Sequence, residues 1–392
     1  MSDARALRGR AAIVGAADAV YPTGEFPGSL RAAEMDCVTE ALAQAGLTLA
    51  DVDGIATCTP GSGMQPMELA EYLGITPRWA DSTNVGGSSF EVQVDHAVAA
   101  IASGLADVVL ITYANNPRSS RKRGPKSLPG GLSVYPRLEW EMNYGVFTVG
   151  AYALAASRHM AMYGTTSEQL AQIAVSTREW AALNPKARFS DPLTVAEVVA
   201  SPLQAAPLHL LDCCLVTDGA GALVLTSAER ARDLAQRPAY ILGAATAVSH
   251  TMISEMPDLT VTPGAESGRQ AFEMAGLAPS DVDVAQLYDS VTITVLLALE
   301  DLGFCAKGEG GAFVEDGRLG PGGAFPAQTS GGGLSYTHPG MFGMFLLVEA
   351  VRQVQGSAGA HQVPGVEVAL AHGCGGSLSS TGTVLLGTEG TL

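Results

Sequence analysis

AGLTLADVDGIATC, from Ala45 to Cys58, returns later in the chain as AGLAPSDVDVAQLYDS, from Ala275 to Ser290. Each copy follows an Ala/Glu-rich amphipathic segment, RAAEMDCVTEALAQ (31–44) and ESGRQAFEM (266–274). Each passes through an Asp-Val-Asp turn into an apolar strand. A shared A-G-L-x-x-x-D-V-D in the same local context indicates a duplicated unit.

The pattern extends outward from both copies. Gly86-Gly87-Ser88 opens a helix to about Gly104, and ADVVLIT (106–112) reads as a buried strand. The second half answers with Gly331–Gly333, a helix over Met341–Val354 and a strand over Val366–Ala371. Apolar strands at Ala11–Ala16 and Tyr240–Ala245 start the halves, and strands at 217–227 and 379–387 end them. Strands alternating with helices predict parallel α/β units, and unbroken apolar strands predict sheets covered by helices on both faces. The expected fold is therefore α/β, with two pseudo-symmetric halves over about 1–235 and 236–392. An insertion over about 116–204 interrupts the first half. Such insertions on α/β scaffolds form substrate lids or partner surfaces.

Bulk properties narrow the function. At 47% hydrophobic and 16% charged residues, the 392-residue chain has material for a large core. A net charge of −17 argues against a nucleic-acid groove or an anionic membrane partner. The first residues are too rich in Gly and Ala for a signal sequence and no stretch is long enough to span a membrane, so a cytoplasmic location is expected. Six cysteines at 37, 58, 213, 214, 305 and 374 form no C-x-x-C pair, so reduced thiols and no metal site are expected.

The chemistry concentrates in SGGGLSYTHPGMFG, from Ser330 to Gly343. Glycines let backbone N–H groups approach a ligand, and a His beside them can move a proton or hold an oxyanion. The corresponding first-half turn, Asn84–Ser89, contains no cysteine.

Duplicated halves, a Gly-rich turn before each core helix, the His-Pro loop and the Gly-rich segment Ala371–Gly376 together resemble the thiolase superfamily, in its sterol-carrier-protein-x-type branch. The resemblance implies the thiolase fold. True thiolases carry the acyl group on a Cys at the first turn, and that position here is Gly87, followed by Ser88 and Ser89. The departures resemble the steroid side-chain retro-aldolase subunits, which lack the nucleophile and cleave a β-hydroxyacyl-CoA. That group implies a tyrosine in the LYD segment, here Tyr288, and a second in the His-Pro loop region, here Tyr336. It also implies a two-fold dimer and a small OB-fold, zinc-ribbon partner in an α2β2 assembly. Coenzyme A enters as the substrate thioester, no cofactor is held tightly by this chain, and any zinc belongs to the partner.

The candidate catalytic residues are Tyr288, His338, Tyr336, Asp289 and Cys374. Gly87, Ser88, Gly375 and Gly376 are candidates for holding the thioester oxygen. Arg118, Arg121, Lys122, Arg123 and Lys126 are candidates for CoA phosphates or partner docking. His96, His209 and His372 are expected to be structural, and Cys213-Cys214 to be core. Two alternatives stand beside the aldolase reading: an acyltransferase whose nucleophile has moved to Ser88 or Cys374, and a non-catalytic acyl-CoA-binding scaffold.

Overall fold

The computed structural model describes residues 5–60, 63–121 and 140–392. Its strands are β1 (Ala11–Ala19), β2 (Gly54–Thr57), β3 (Trp79–Asp81), β4 (Val108–Asn115), β5 (Leu203–Ala205), β6 (Leu208–His209), β7 (Gly219–Ser227), β8 (Ala239–Val248), β9 (Val284–Leu287), β10 (Val368–Gly375) and β11 (Ser380–Gly387). Nine of them form one hydrogen-bonded order, β3-β2-β4-β7-β1-β8-β11-β10-β9. Read outward from the β1–β8 junction, the halves run β1-β7-β4-β2 and β8-β11-β10-β9, so the duplicated text occupies equivalent strands. The junction itself is short, pairing Ala12 with Tyr240 and Ile13 with Ala239.

The repeated residues act identically in both halves. Helix α1 (Leu30–Ala45) and the Gly264–Ala275 helix both end on a left-handed glycine, Gly46 at φ 70° and Gly276 at φ 65°. The first Asp of each Asp-Val-Asp closes a tight turn: Asp51 accepts from Thr48 N at 3.0 Å, and Asp281 from Ala278 N at 2.8 Å. The second Asp receives the start of the neighbouring strand. Asp53 accepts from Val108 N at 2.9 Å, and Asp283 from Val368 N at 2.9 Å. These carboxylates hold the edges of the parallel pairs β2–β4 and β9–β10 in register.

The expectation of parallel units needs correction. β1, β7, β8 and β11 meet their neighbours antiparallel. An unbroken apolar strand reports two covered faces and carries no information on direction. Helix α2 (Ser89–Ala102) and the Gly343–Gln355 helix are buried along most of their length and pack on strands of both halves. Their N-termini meet at the site described next.

Candidate active site

Gly87 lies in the turn entering α2, against the end of β10. A Cβ placed on it would stand 2.3 Å from the Cys374 carbonyl oxygen and 2.5 Å from two ring carbons of Tyr288. No side chain fits there without a shift. The volume a nucleophilic side chain would need at this turn is filled by the Tyr288 ring. The Cys374 carbonyl and the Tyr288 ring together leave room at this position for glycine alone.

Tyr288 follows β9 and is 4% exposed. Its hydroxyl lies 3.1 Å from His338 Nε2 and accepts from Phe342 N–H at 3.0 Å. It thereby caps the Gly343–Gln355 helix, satisfying one of the donors left open at a helix start. The His338 ring meets Tyr288 edge-on, with centroids 5.8 Å apart, and stacks on Phe342 at 6.0 Å. Burial lowers the His338 pKa to about 4, so the imidazole is neutral at physiological pH. Burial also pushes the Tyr288 phenol well above its usual value. Tyr288 is thus a protonated phenol paired with a neutral imidazole, and the direction of the bond between them follows the His338 tautomer. A phenol oxygen has two acceptor sites, and Phe342 uses one.

The loop carrying His338 is fixed from several sides. Asp289 accepts from Gly333 N at 2.7 Å and Leu334 N at 3.1 Å. Asp289 therefore orients the glycine loop. Desolvation raises its pKa to about 7. His338 N donates to Thr217 Oγ1 at 2.8 Å, and the Thr217 and Thr337 hydroxyls are 2.7 Å apart.

Tyr336 is not brought to Tyr288. It is 2% exposed, and its hydroxyl donates to Asp18 on β1. Its pKa is driven well above the usual value, first by burial and then by the Asp18 charge. A phenol committed to a carboxylate in this way is no base at neutral pH.

The alternative nucleophiles are poorly placed. Ser88 is fully buried, 2.9 Å from Ser380 Oγ, which in turn donates to Val85 O at 2.6 Å. That leaves the Ser88 proton directed at a hydroxyl instead of a base. Cys374 lies in the site, but burial raises its thiol to about 12. The other five cysteines are likewise shifted upward by burial, so none supplies a thiolate. The parent protein, Cys374→Ala and Ser88→Ala are all expected to show no acyl adduct in the intact-mass spectrum under substrate. An acyl adduct on the parent that either change removes would overturn this.

Gly375 and Gly376 interlock with the first turn: a Cβ on Gly375 would stand 2.1 Å from Val85 O. Tyr152, from the helix Thr148–Tyr163 in the insertion, donates to Gly376 O at 3.1 Å and lies close enough to add to the upward shift of Tyr288. Nothing in the local sequence around Tyr152 distinguishes it from a helix-packing tyrosine, and the sequence reading did not find it.

Glu91 was also missed. Its carboxyl is buried without a hydrogen-bond partner, within 2.4 Å of the Cβ positions that Gly343 and Gly373 lack. Burial raises its pKa from 4.5 to about 8. The folded chain keeps this proton while the unfolded chain releases it near pH 4.5. The Glu91 contribution to stability therefore falls as pH rises from about 4.5 to about 8. Glu91→Gln is expected to remove several kcal/mol of that loss. Urea midpoints at pH 5 and pH 8 measure it, and an equal pH dependence in both proteins would contradict it.

The remaining candidates are dispersed. His96 Nδ1 meets Asp81 at 2.8 Å on the surface, His209 pairs with Asp212 at 3.3 Å, and His372 meets Thr383 Oγ1 at 2.9 Å in the core. Cys213 and Cys214, expected to be core, are half-buried beside Ser290–Val291, with Cys213 packed against the edge of the hydrophobic core. Arg118 contacts Glu25 at 3.1 Å. Arg118 and Arg121 form a short helical turn, while Lys122, Arg123 and Lys126 lie outside the described residues. Among the described residues, no group of three or more His, Cys, Asp or Glu is arranged to hold a metal. No helix among them is long and apolar enough to cross a membrane.

Residues 245–388 match the family of thiolase C-terminal domain-like sequences. The chain is 39% identical to the 17-hydroxy-3-oxo-4-pregnene-20-carboxyl-CoA lyase of Mycobacterium tuberculosis, over 92% of this chain and 95% of that protein. It is 37% identical to the steroid side-chain-cleaving aldolase of Thermomonospora curvata, over 90% and 92%. An acetyl-CoA acetyltransferase of Methanothermobacter thermautotrophicus is 34% identical over 87% and 91%. The solved Ltp2-ChsH2(DUF35) aldolase superposes with a TM-score of 0.86 at 35% identity, covering 98% of this chain and 99% of that one. With its fold, its duplicated halves and these relatives, the chain belongs to the thiolase superfamily, in the branch that holds the steroid side-chain-cleaving aldolases.

Proposed function

We propose that this protein is a carbon–carbon lyase that cleaves a bulky β-hydroxyacyl-CoA of the steroid side-chain class by a retro-aldol reaction. One observation carries the reading: the Tyr288 ring fills the space at Gly87 and sets its hydroxyl 3.1 Å from His338 Nε2. The site thereby exchanges a nucleophile for a proton relay. The lyase and aldolase names of the relatives at 39% and 37% identity support the same class.

The substrate β-hydroxyl gives its proton to the Tyr288 oxygen as the Tyr288 proton passes to His338 Nε2. The Cα–Cβ bond breaks, the former carbinol carbon becomes a ketone or aldehyde, and the electron pair moves into the thioester enolate. The proton then returns through Tyr288 to Cα, giving the shortened acyl-CoA. No covalent intermediate forms, and protons balance. A His338 with a pKa of about 4 is a weak base in the resting site. An enolate developing beside it raises that affinity, because an adjacent negative charge favours imidazolium. Amides of Gly87 and Ser88 and of Gly375–Gly376 hold the enolate oxygen in this scheme.

The Ltp2-ChsH2(DUF35) assembly supports a heteromeric partner, here a small OB-fold, zinc-ribbon protein on a two-fold dimer in an α2β2 complex. Trp140, Tyr144 and Phe147, at 65%, 84% and 58% exposure, give the insertion exposed aromatic side chains of the kind such contacts favour. The basic run from Arg118 to Lys126 is assigned to CoA phosphates or to that partner.

The CoA thioester of a steroid side-chain β-hydroxy acid, given to the protein with its partner, is expected to yield a carbonyl product and a shorter acyl-CoA. Absence of turnover with the partner present would remove the proposal. The pH profile adds a check. His338 accepts a proton only while neutral, so the acid limb of kcat/KM is expected near pH 4. A limb near the ordinary histidine value of 6.5 would contradict the buried relay.

A further inference from the structure

Tyr336 lies two residues before His338, at the end of a single π-helical turn at Gly332–Tyr336. Its hydroxyl reaches Asp18, far away in sequence on β1. Asp18 is 4% exposed and holds more than this one bond. Arg352 donates through Nη1 to Oδ2 at 3.0 Å and through Nη2 to Oδ1 at 2.8 Å. Lys186 Nζ donates to Oδ1 at 2.7 Å and to the Asp18 carbonyl at 3.2 Å. One carboxylate thus gathers β1, the insertion, the central Gly343–Gln355 helix and the His338 loop.

We infer that Asp18 and Tyr336 are positioning residues for His338, and that Tyr336 takes no part in proton transfer with substrate. This deepens the lyase reading and rests on it only for the kinetic part of the test. The geometry separates two pulls on one short loop. Asp289 ties Gly333 and Leu334 at its start, and Asp18 ties Tyr336 at its end. Between the second tie and His338 stands only Thr337, which is extended at φ −160°. The backbone after Tyr336 has one residue in which to absorb a shift. Two cations on Asp18 keep it an acceptor and deepen the well in which the tyrosine hydroxyl sits. Removing that bond leaves His338 held on this side through Thr217, which accepts from His338 N at 2.8 Å, and lets the bond between Tyr288 and His338 lengthen.

The discriminating variants are Tyr336→Phe, which keeps the ring, and Lys186→Gln, which weakens the cluster from its exposed end. The first readout needs no substrate. Carbethoxylation of His338 by diethylpyrocarbonate is followed by peptide mass, with exposed His96 as internal reference. The expected result for Tyr336→Phe is at least about a tenfold faster modification of His338, an unchanged His96 rate, and a kcat lowered about 100-fold with KM nearly constant, as a misplacement near 1 Å produces. Lys186→Gln is expected to move both readouts in the same direction by less. Loss of kcat in Tyr336→Phe with an unchanged His338 rate would make Tyr336 a participant in the chemistry. No change in either readout would show that the cluster does not hold His338. If the protein proves not to be a lyase, the modification rates still decide the positioning claim.

Discussion

Tyr288→Phe is expected to lower kcat by about 10³-fold, the scale of a positioned acid–base group, while KM stays near its original value. The substitution keeps the ring that packs against Gly87 and Phe342, so the site retains its shape. What it removes is the hydrogen bond that links the His338 imidazole to the reacting hydroxyl, together with the acceptor for Phe342 N–H. The cost in stability is about 1–3 kcal/mol for the amide left without a partner. His338→Ala is expected to cost a similar factor, and the double variant little more than either one, because the two residues act as a unit. Additive losses in the double variant would show that they serve different steps. Steady-state kinetics on the four proteins, with unfolding midpoints as a control, measure this.

The second large effect concerns Gly87. Restoring a cysteine there is the obvious route back to acyl transfer, and the structure predicts that it fails. The new Cβ would meet the Cys374 carbonyl oxygen at 2.3 Å and the Tyr288 ring at 2.5 Å. Gly87→Cys is expected to lose about 3 kcal/mol or more from overpacking. It is also expected to lose lyase activity and to gain no thiolysis. Adding Tyr288→Ala relieves the ring contact and leaves the carbonyl contact in place. The double variant is therefore expected to regain part of the stability and none of the acyl transfer. A folded Gly87→Cys protein that accumulates an acyl-enzyme would show that Tyr288 moves aside easily. The steric argument for a relay would then fall.

These two sites differ in how far the sequence exposed them. The duplicated fold was readable because its signals are local. Gly46 and Gly276 end helices, and Asp51, Asp53, Asp281 and Asp283 close turns and strand starts a few residues away or on the neighbouring strand. Tyr288 and His338 were readable for a related reason: each sits at the end of a strand or glycine run that the repeat locates. Strand direction was not readable, since β7 and β11 are as apolar as the parallel strands.

Tyr336 shows the limit most clearly. Sequence places it beside His338, yet its side chain turns toward Asp18, and only the folded chain brings that carboxylate to it. Asp18 itself sits in an apolar strand, where a lone Asp gives no sign of its partners Arg352 and Lys186. Glu91 was hidden in the same way. Its surroundings are glycines from two other elements, and a missing side chain leaves no mark that a linear reading can connect to it.

The measurement that bears most directly on the central claim is intact-mass spectrometry of the chain, with its partner, during a single turnover of a bulky β-hydroxyacyl-CoA. The account predicts a carbonyl product and a shorter acyl-CoA appearing together, while the protein mass stays that of the unmodified chain throughout. A transient adduct of acyl mass would contradict it and return the protein to acyl-transfer chemistry.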